Sequence, residues 1–253
     1  MTNYYFLTAV LPPLALGKKT PLNFEELKDL FLMNLSKRDL DKVEKFRQYV
    51  DIKNLKAFLR SKPLDPKGHL SEKELDEAIL LKADLPMYVF DFLQTYTEND
   101  ARIHFFASLF SAFFDEMINN EKGFISSYFQ FEKDCRLILS VLRAKKYNID
   151  LSEQLQFEDP KDPVIAEILA GKDRPEYDPP QEYMPLKQIF QKFSDDPKKL
   201  TYNYLEFQFE RVDQLVESEV FSIDKLLAYL IKWIMVDAWN QVENNKENLD
   251  ILS

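Results

Sequence analysis

Few side chains in this 253-residue chain are of types that do chemistry unaided, and their spacing decides how far a catalytic reading can go. Zinc sites need clustered Cys and His, but Cys135, His69 and His104 are scattered, and no Glu-x-x-His pair points to a carboxylate-bridged di-iron bundle. A magnesium or calcium site made of carboxylates alone is left open by the composition, without a spacing that supports it. Carboxylate pairs could serve as general acid and base, and the candidates are Glu132 with Asp134, Asp195 with Asp196, and Glu206 with Glu210. Only the last pair shares a helical face. With 43 acidic residues in the chain, a solvated face or an ion pair with Arg143 or Arg211 is the expected role.

Nucleophilic catalysis fares no better, since no local signature pairs Cys135 or a serine in a tight turn with a histidine. Cys135 sits in an apolar helical pattern and is expected to be a small buried hydrophobe. His104 follows Arg102 on an aromatic helix and reads as a hydrogen-bonded core or edge histidine, while His69, beside Gly68, reads as a loop residue. The 4 glycines, at 17, 68, 123 and 171, form neither GxGxxG nor a Walker-type loop, so no nucleotide cradle is expected. The expectation is a protein without catalytic, cofactor-binding or metal-binding residues, and not an enzyme.

The elements that would position these groups are helical. Asn23 with Glu26, Ser36 with Asp39 and Ser71 with Glu74 each set a capping side chain three residues ahead of a carboxylate, predicting helices near 24–35, 37–60 and 72–82. Between the last two, Pro63, Pro66 and Gly68 force a loop, and a further helix is expected over 85–96. Ile103, Phe106, Phe110, Phe113, Phe114 and Met117 recur at spacings of three and four, as do Tyr128, Phe131, Cys135, Ile138 and Leu142 in a helix ending near Asn148. The stretch 158–185 carries six prolines and reads as a linker or long surface crossing, with a short apolar run from Val164 to Ala170 closed by Gly171. Pro197 behind Asp196 opens a helix through Val216, Ser222 opens the last one, and the tail from Glu243 is expected to fray. Only Tyr4 to Leu11, aromatic and followed by Pro12 and Pro13, reads as extended. The fold class is therefore all-α, as one helical domain over 1–253.

Two internal similarities suggest related units. Asp51 to Lys62 and Asp134 to Lys145 share Asp, Leu-Arg and Lys at identical spacing, and Phe129-Gln130-Phe131-Glu132-Lys133 resembles Phe207-Gln208-Phe209-Glu210-Arg211. The expected pseudo-repeats span about 23–96, 99–157 and 186–245, with the proline-rich crossing at 158–185.

The formal net charge is −10, which repels a phosphate backbone or an anionic lipid surface and favours proteins or cations as partners over nucleic acid. The uncharged first 17 residues lack a basic start and are interrupted by Pro12 and Pro13, so a signal peptide is not expected. The longest uncharged internal run, Ile103 to Phe114, is too short for a bilayer, which needs about 20 apolar residues. A single cysteine fits the reducing cytosol.

Tyr128, Phe129, Phe131, Glu132 and Asp134 leading into Leu142-Arg143-Ala144-Lys145 resemble the C/d subunit family of rotary V-type ATPases, and Leu205-Glu206-Phe207 through Phe221-Ser222-Ile223 to Tyr229-Leu230 resembles that family's closing repeat. The opening, Tyr4 to Pro13, is similar to a short bacterial family of unassigned function that accompanies V-type ATPase subunits. The likeness implies a funnel of helical units that couples the central rotor shaft to the membrane proteolipid ring, on the cytoplasmic face of the inner membrane, as a monomer within an ion-translocating complex and without chemistry of its own. Its partners would be the rotor shaft subunits and the proteolipid ring. Asp134, Leu142, Arg143, Lys145, Glu206 and Tyr229 carry over as structural positions only. The chain is shorter than that family by about one helical unit, and Val236-Asp237-Ala238-Trp239 departs from its pattern. The alternative is a helical adaptor or assembly factor that binds a partner helix in an apolar groove.

Overall fold

A computed structural model describes residues 4–172, 174 and 176–244. Every regular element among them is helical, as expected. The chain divides into two compact units, one made of residues 1–36 with 122–253 and the other of 37–121. Neither boundary coincides with the limits expected for the pseudo-repeats.

The contiguous unit holds α3 (Lys37–Leu59), α4 (Glu72–Leu81), α5 (Met87–Thr95), α6 (Asn99–His104) and α7 (Phe106–Asn120). Its core is the aromatic stripe of α7, where Phe106, Phe110, Phe113, Phe114 and Met117 are buried. Tyr49 of α3 stacks on Phe113 with ring centroids 5.3 Å apart and meets Phe114 at 5.9 Å. Offset and edge contacts of this kind add to the area the rings bury, which makes α7 the element this unit is built on. The single aromatic helix expected from Ile103 to Met117 is broken at Phe105, whose ring leaves the stripe to stack on Tyr96 at 4.8 Å. Arg102 holds the break by donating to the carbonyls of Tyr96 and Leu93 at the end of α5, at 2.7 and 3.1 Å. Asn54 of α3 pins the loop after it, donating to Asp65 O at 2.9 Å and accepting from Asp65 N at 2.7 Å.

The other unit begins with α1 (Tyr5–Val10) and α2 (Phe24–Asn34), the latter opened by a complete Asn23/Glu26 capping box. It continues with α8 (Phe124–Tyr147), α9 (Leu151–Leu155), α10 (Pro163–Ala170), a 3-10 turn (Gln181–Tyr183), α11 (Met184–Phe193), α12 (Pro197–Leu215) and α13 (Ile223–Asn244). α8 is its axis, with Phe129, Cys135, Ile138 and Val141 fully buried. Gly123, at φ 67°, starts it, and Asp224 of α13 accepts from Phe124 N at 3.2 Å. A side chain at 123 would put its Cβ 2.8 Å from that carboxylate, so both the backbone angle and the contact select glycine.

Two expectations are corrected here. The opening segment is short but helical: Pro12 biases only Leu11 toward extended geometry, and the helix buries Leu7 while Tyr5 and Phe6 stay exposed. The proline-rich stretch is no linker, because Asp162 caps α10 behind Pro163 and Ile165, Ile168, Tyr177 and Tyr183 enter the core around α8. The similar Phe-Gln-Phe segments lie against each other, Phe131 packing on Phe207 at 5.8 Å and Gln208 donating to Glu132 at 2.6 Å. In the other pair α3 stops at Leu59, whereas α8 runs on through Leu142 and Arg143. The expected fraying past Asn244 lies outside the described residues. No helix among the described residues is long and apolar enough to cross a membrane.

Candidate interaction surface

The unit around α8 carries an apolar groove of about 440 Å³. One wall is the end of α1 and the chain after it, Leu11 to Leu14; the floor is Leu226 and Tyr229 of α13; the far rim is Val220 and Phe221, in the turn before α13. Tyr4 N donates to Phe221 O at 2.7 Å, the Tyr5 ring meets Phe221 at 4.3 Å, and Tyr229 donates to Pro12 O at 3.0 Å. These contacts tie the α1 side of the groove to α13 and to the turn before it. Burial pushes the Tyr229 phenol up to about 12, so it stays a donor at any physiological pH. Beside the groove Tyr5, Phe6, Val10 and Val220 remain exposed. Four large apolar side chains open to water on one short helix and the turn it touches form a patch that single exposed residues do not.

Two cations line the groove. Lys232 is engaged, with Asp213 at 2.6 Å and the Phe209 ring at 4.0 Å beneath it. Lys225 offers only its backbone N–H, to Ser222, and its ammonium has no ion pair among the described residues. The site is thus apolar along its length with one uncommitted positive charge at its edge.

The six motif residues are not brought together. Asp134 is buried on α8, where it accepts from Tyr183 at 2.7 Å and Gln130 at 2.9 Å, and burial raises its carboxyl to about 6 against those bonds. Leu142 is core, and burial lowers the pKa of the half-buried Arg143 guanidinium. Lys145 ties the end of α8 to the carbonyls of Lys172 and, at 2.6 Å, Arg174. Glu206 faces solvent, as does Glu210. Tyr229 alone belongs to the groove. Asp195 pairs with Lys146, and Asp196 caps α12. Cys135 is fully buried with its thiol pushed well above the ordinary value, the inert hydrophobe expected.

Of the two places expected for His104, core or edge, the structure shows the edge: it is exposed and edge-on to the Phe105 ring at 4.6 Å. His69, read as a plain loop residue, is clamped between two carboxylates of α3: its backbone N–H and Nδ1 reach Asp51 at 2.7 and 2.6 Å, and Nε2 reaches Glu44. Burial alone would lower its pKa, but the hydrogen bonds to Asp51 and Glu44 carry it to about 9. An imidazolium that donates from both nitrogens has no lone pair to act as a base, and the cluster ties the loop at Gly68 to α3.

The model of a family described as "Protein of unknown function (DUF2764)" matches residues 1–249. The chain belongs to that family. A Chlamydia pneumoniae protein is 29% identical over 90% of this chain and 88% of its own. Proteins of Chlamydia muridarum and Chlamydia trachomatis are 26% and 25% identical over all of this chain and 98% of theirs. All three are named uncharacterized. No solved structure matches the chain. The resemblance to the C/d subunits of V-type ATPases is overturned, because the family model that spans the chain is a different one and none of these relatives is such a subunit by name. Its motifs, Leu-Arg-Ala-Lys and aromatic-rich helix starts, are made of common helix residues, which recur in unrelated helical cores.

Sequence reasoning missed Val220 and Lys225, and named Phe221 only within a motif and not as part of a surface. The available signal was an apolar pair lying in a turn between two amphipathic helices, where polar residues are the rule.

Proposed function

We propose that the chain is a non-catalytic helical adaptor that receives a partner helix in the groove between α1 and α13. The observation that carries this reading is the groove itself: an apolar trough whose sides are tied by hydrogen bonds, rimmed by exposed aromatics and flanked by an unpaired lysine. Its occupant is a helix with an apolar stripe and a carboxylate placed to meet Lys225. The polar clusters support a role without chemistry, since those around His69 and Asp134 are spent on holding loops and helices. A location on the cytoplasmic face of a membrane belongs to the same reading and would come through the partner.

A photo-crosslinking side chain at position 221 of the full chain, with Lys225→Glu as the control, tests it. Crosslinks confined to one amphipathic, acid-bearing helix of a retained partner, and reduced at least about tenfold by Lys225→Glu, are expected. Crosslinks scattered over unrelated segments, or insensitive to that charge reversal, refute the groove as the docking site. The rotor coupling implied by the former resemblance is read from the same experiment, through whether rotor subunits are the crosslinked partners and at what stoichiometry.

A further inference from the structure

The contiguous unit carries a second surface that the groove does not explain. At the junction of α4 and α5, Leu80, Leu81 and Met87 are 79%, 72% and 73% exposed, although the same helices anchor Leu75, Ala78, Val89 and Phe92 in the core. The junction is built and not slack. Lys82 takes a left-handed conformation at φ 52° and donates its N–H to Ala78 O, which Ala83 N also reaches at 3.2 Å; Asp84 follows at φ 60°, and Pro86 starts α5. Neither left-handed residue is glycine. The chain thus presents three large apolar side chains to water on either side of this turn.

The charge around them selects the occupant. Residues 72–91 carry six acidic side chains and two lysines, and one lysine, Lys73, is already 3.7 Å from Glu77. Asp76 and Glu77 on α4, Asp84 in the turn and Asp91 on α5 are all exposed. An anionic lipid surface and a nucleic acid would be repelled by this rim, and a second copy would oppose acid to acid. An apolar stripe flanked by lysine or arginine satisfies both features, with leucine-sized side chains covering Leu80, Leu81 and Met87 and cations meeting the rim.

We propose that the α4–α5 junction is a docking surface for a basic amphipathic helix, separate from the groove of the other unit. The test uses the full chain and two labelled helical peptides with the same leucine stripe, one flanked by lysines and the other by glutamates, followed by fluorescence anisotropy. The lysine peptide is expected to bind at least about tenfold more tightly than the glutamate peptide. Leu80→Ser with Leu81→Ser, and separately Asp76→Lys with Asp84→Lys, are each expected to weaken it about tenfold with unchanged circular dichroism, whereas Phe221→Ser leaves it as it is. Leu80, Leu81 and Asp76 are exposed, and for Asp84, at φ 60°, and Phe221, which meets the Tyr5 ring, the unchanged circular dichroism is the check that the fold is retained. Equal affinity for the two peptides overturns the proposal, as does indifference to both double variants. Loss through Phe221→Ser would assign the peptide to the groove instead. A concentration-dependent dimer in sedimentation that Leu81→Ser abolishes would make the occupant a second copy and overturn the basic helix.

Discussion

His69 shows how a residue of catalytic type can be committed wholly to structure. Its folded pKa of about 9 lies above the ordinary 6.5, so the native state holds the proton more tightly than the unfolded chain. That stabilisation is complete below pH 6.5 and is lost as pH rises through 9. With the ring 28% exposed, the screened contribution is about 2 kcal/mol. Wild type should therefore exceed His69→Gln in urea stability by that amount at pH 6, with the gap closing by pH 9.5; a pH-independent gap would mean that packing, not charge, holds the loop. Gly68 has a related constraint, since a Cβ there would lie 2.4 Å from Asp51 Oδ1 and 2.6 Å from Asn54 Nδ2, the two side chains that hold this loop. Gly68→Ala should cost about 1–2 kcal/mol by urea melting and lower the pKa of His69, measured by NMR titration, because Asp51 must turn away. Asp134 behaves in the opposite sense for an acid. Burial lifts it from 3.8 to about 6, so its charging works against folding as pH rises through that window. Asp134→Asn should remove a loss of about 2 kcal/mol between pH 4 and pH 6.5, read as a flatter stability profile than that of wild type.

At the scale of elements, legibility followed hydrophobic periodicity and capping chemistry. The boxes at Asn23/Glu26 and Ser71/Glu74, and Pro197 behind Asp196, marked helix starts to within a residue because each satisfies local backbone groups by itself. What failed depended on distant partners. Phe105 leaves its helix for Tyr96, α1 lies against α13, and α10 is held by a core the proline content could not reveal. The groove was illegible for the same reason: Tyr229 was singled out from a motif, but its role comes from Pro12, 217 residues away in sequence. Gly123 marks the junction most exposed to substitution. Gly123→Ala must hold φ near 67° and crowd Asp224, and it should destabilise the α8 unit by about 2 kcal/mol in urea melts monitored by tryptophan fluorescence, both tryptophans being on α13. An unchanged midpoint would show that α8 starts elsewhere in solution.

At the scale of the whole molecule, charge and apolar exposure point the same way. A chain of net charge −10 attracts basic partners from beyond contact distance, and its exposed leucines at the α4–α5 junction sit inside that field. The groove differs, because its edge carries Lys225 and its occupant must bring a carboxylate close against the long-range repulsion. Such an occupant is expected to be neutral or basic overall, with its acid confined to one face. The kinetic signatures then separate. For the lysine peptide at the junction, the association rate constant should fall about tenfold between about 20 and about 200 mM salt while dissociation changes little, because screening removes the steering and leaves the apolar contact intact. For a helix in the groove, Lys225→Glu should act mainly on dissociation, since the carboxylate meets Lys225 only after docking. Stopped-flow measurements on the full chain with the lysine peptide decide the first case. A salt-independent association rate would mean that the acidic rim plays no part in recognition and that Leu80, Leu81 and Met87 bind by apolar contact alone.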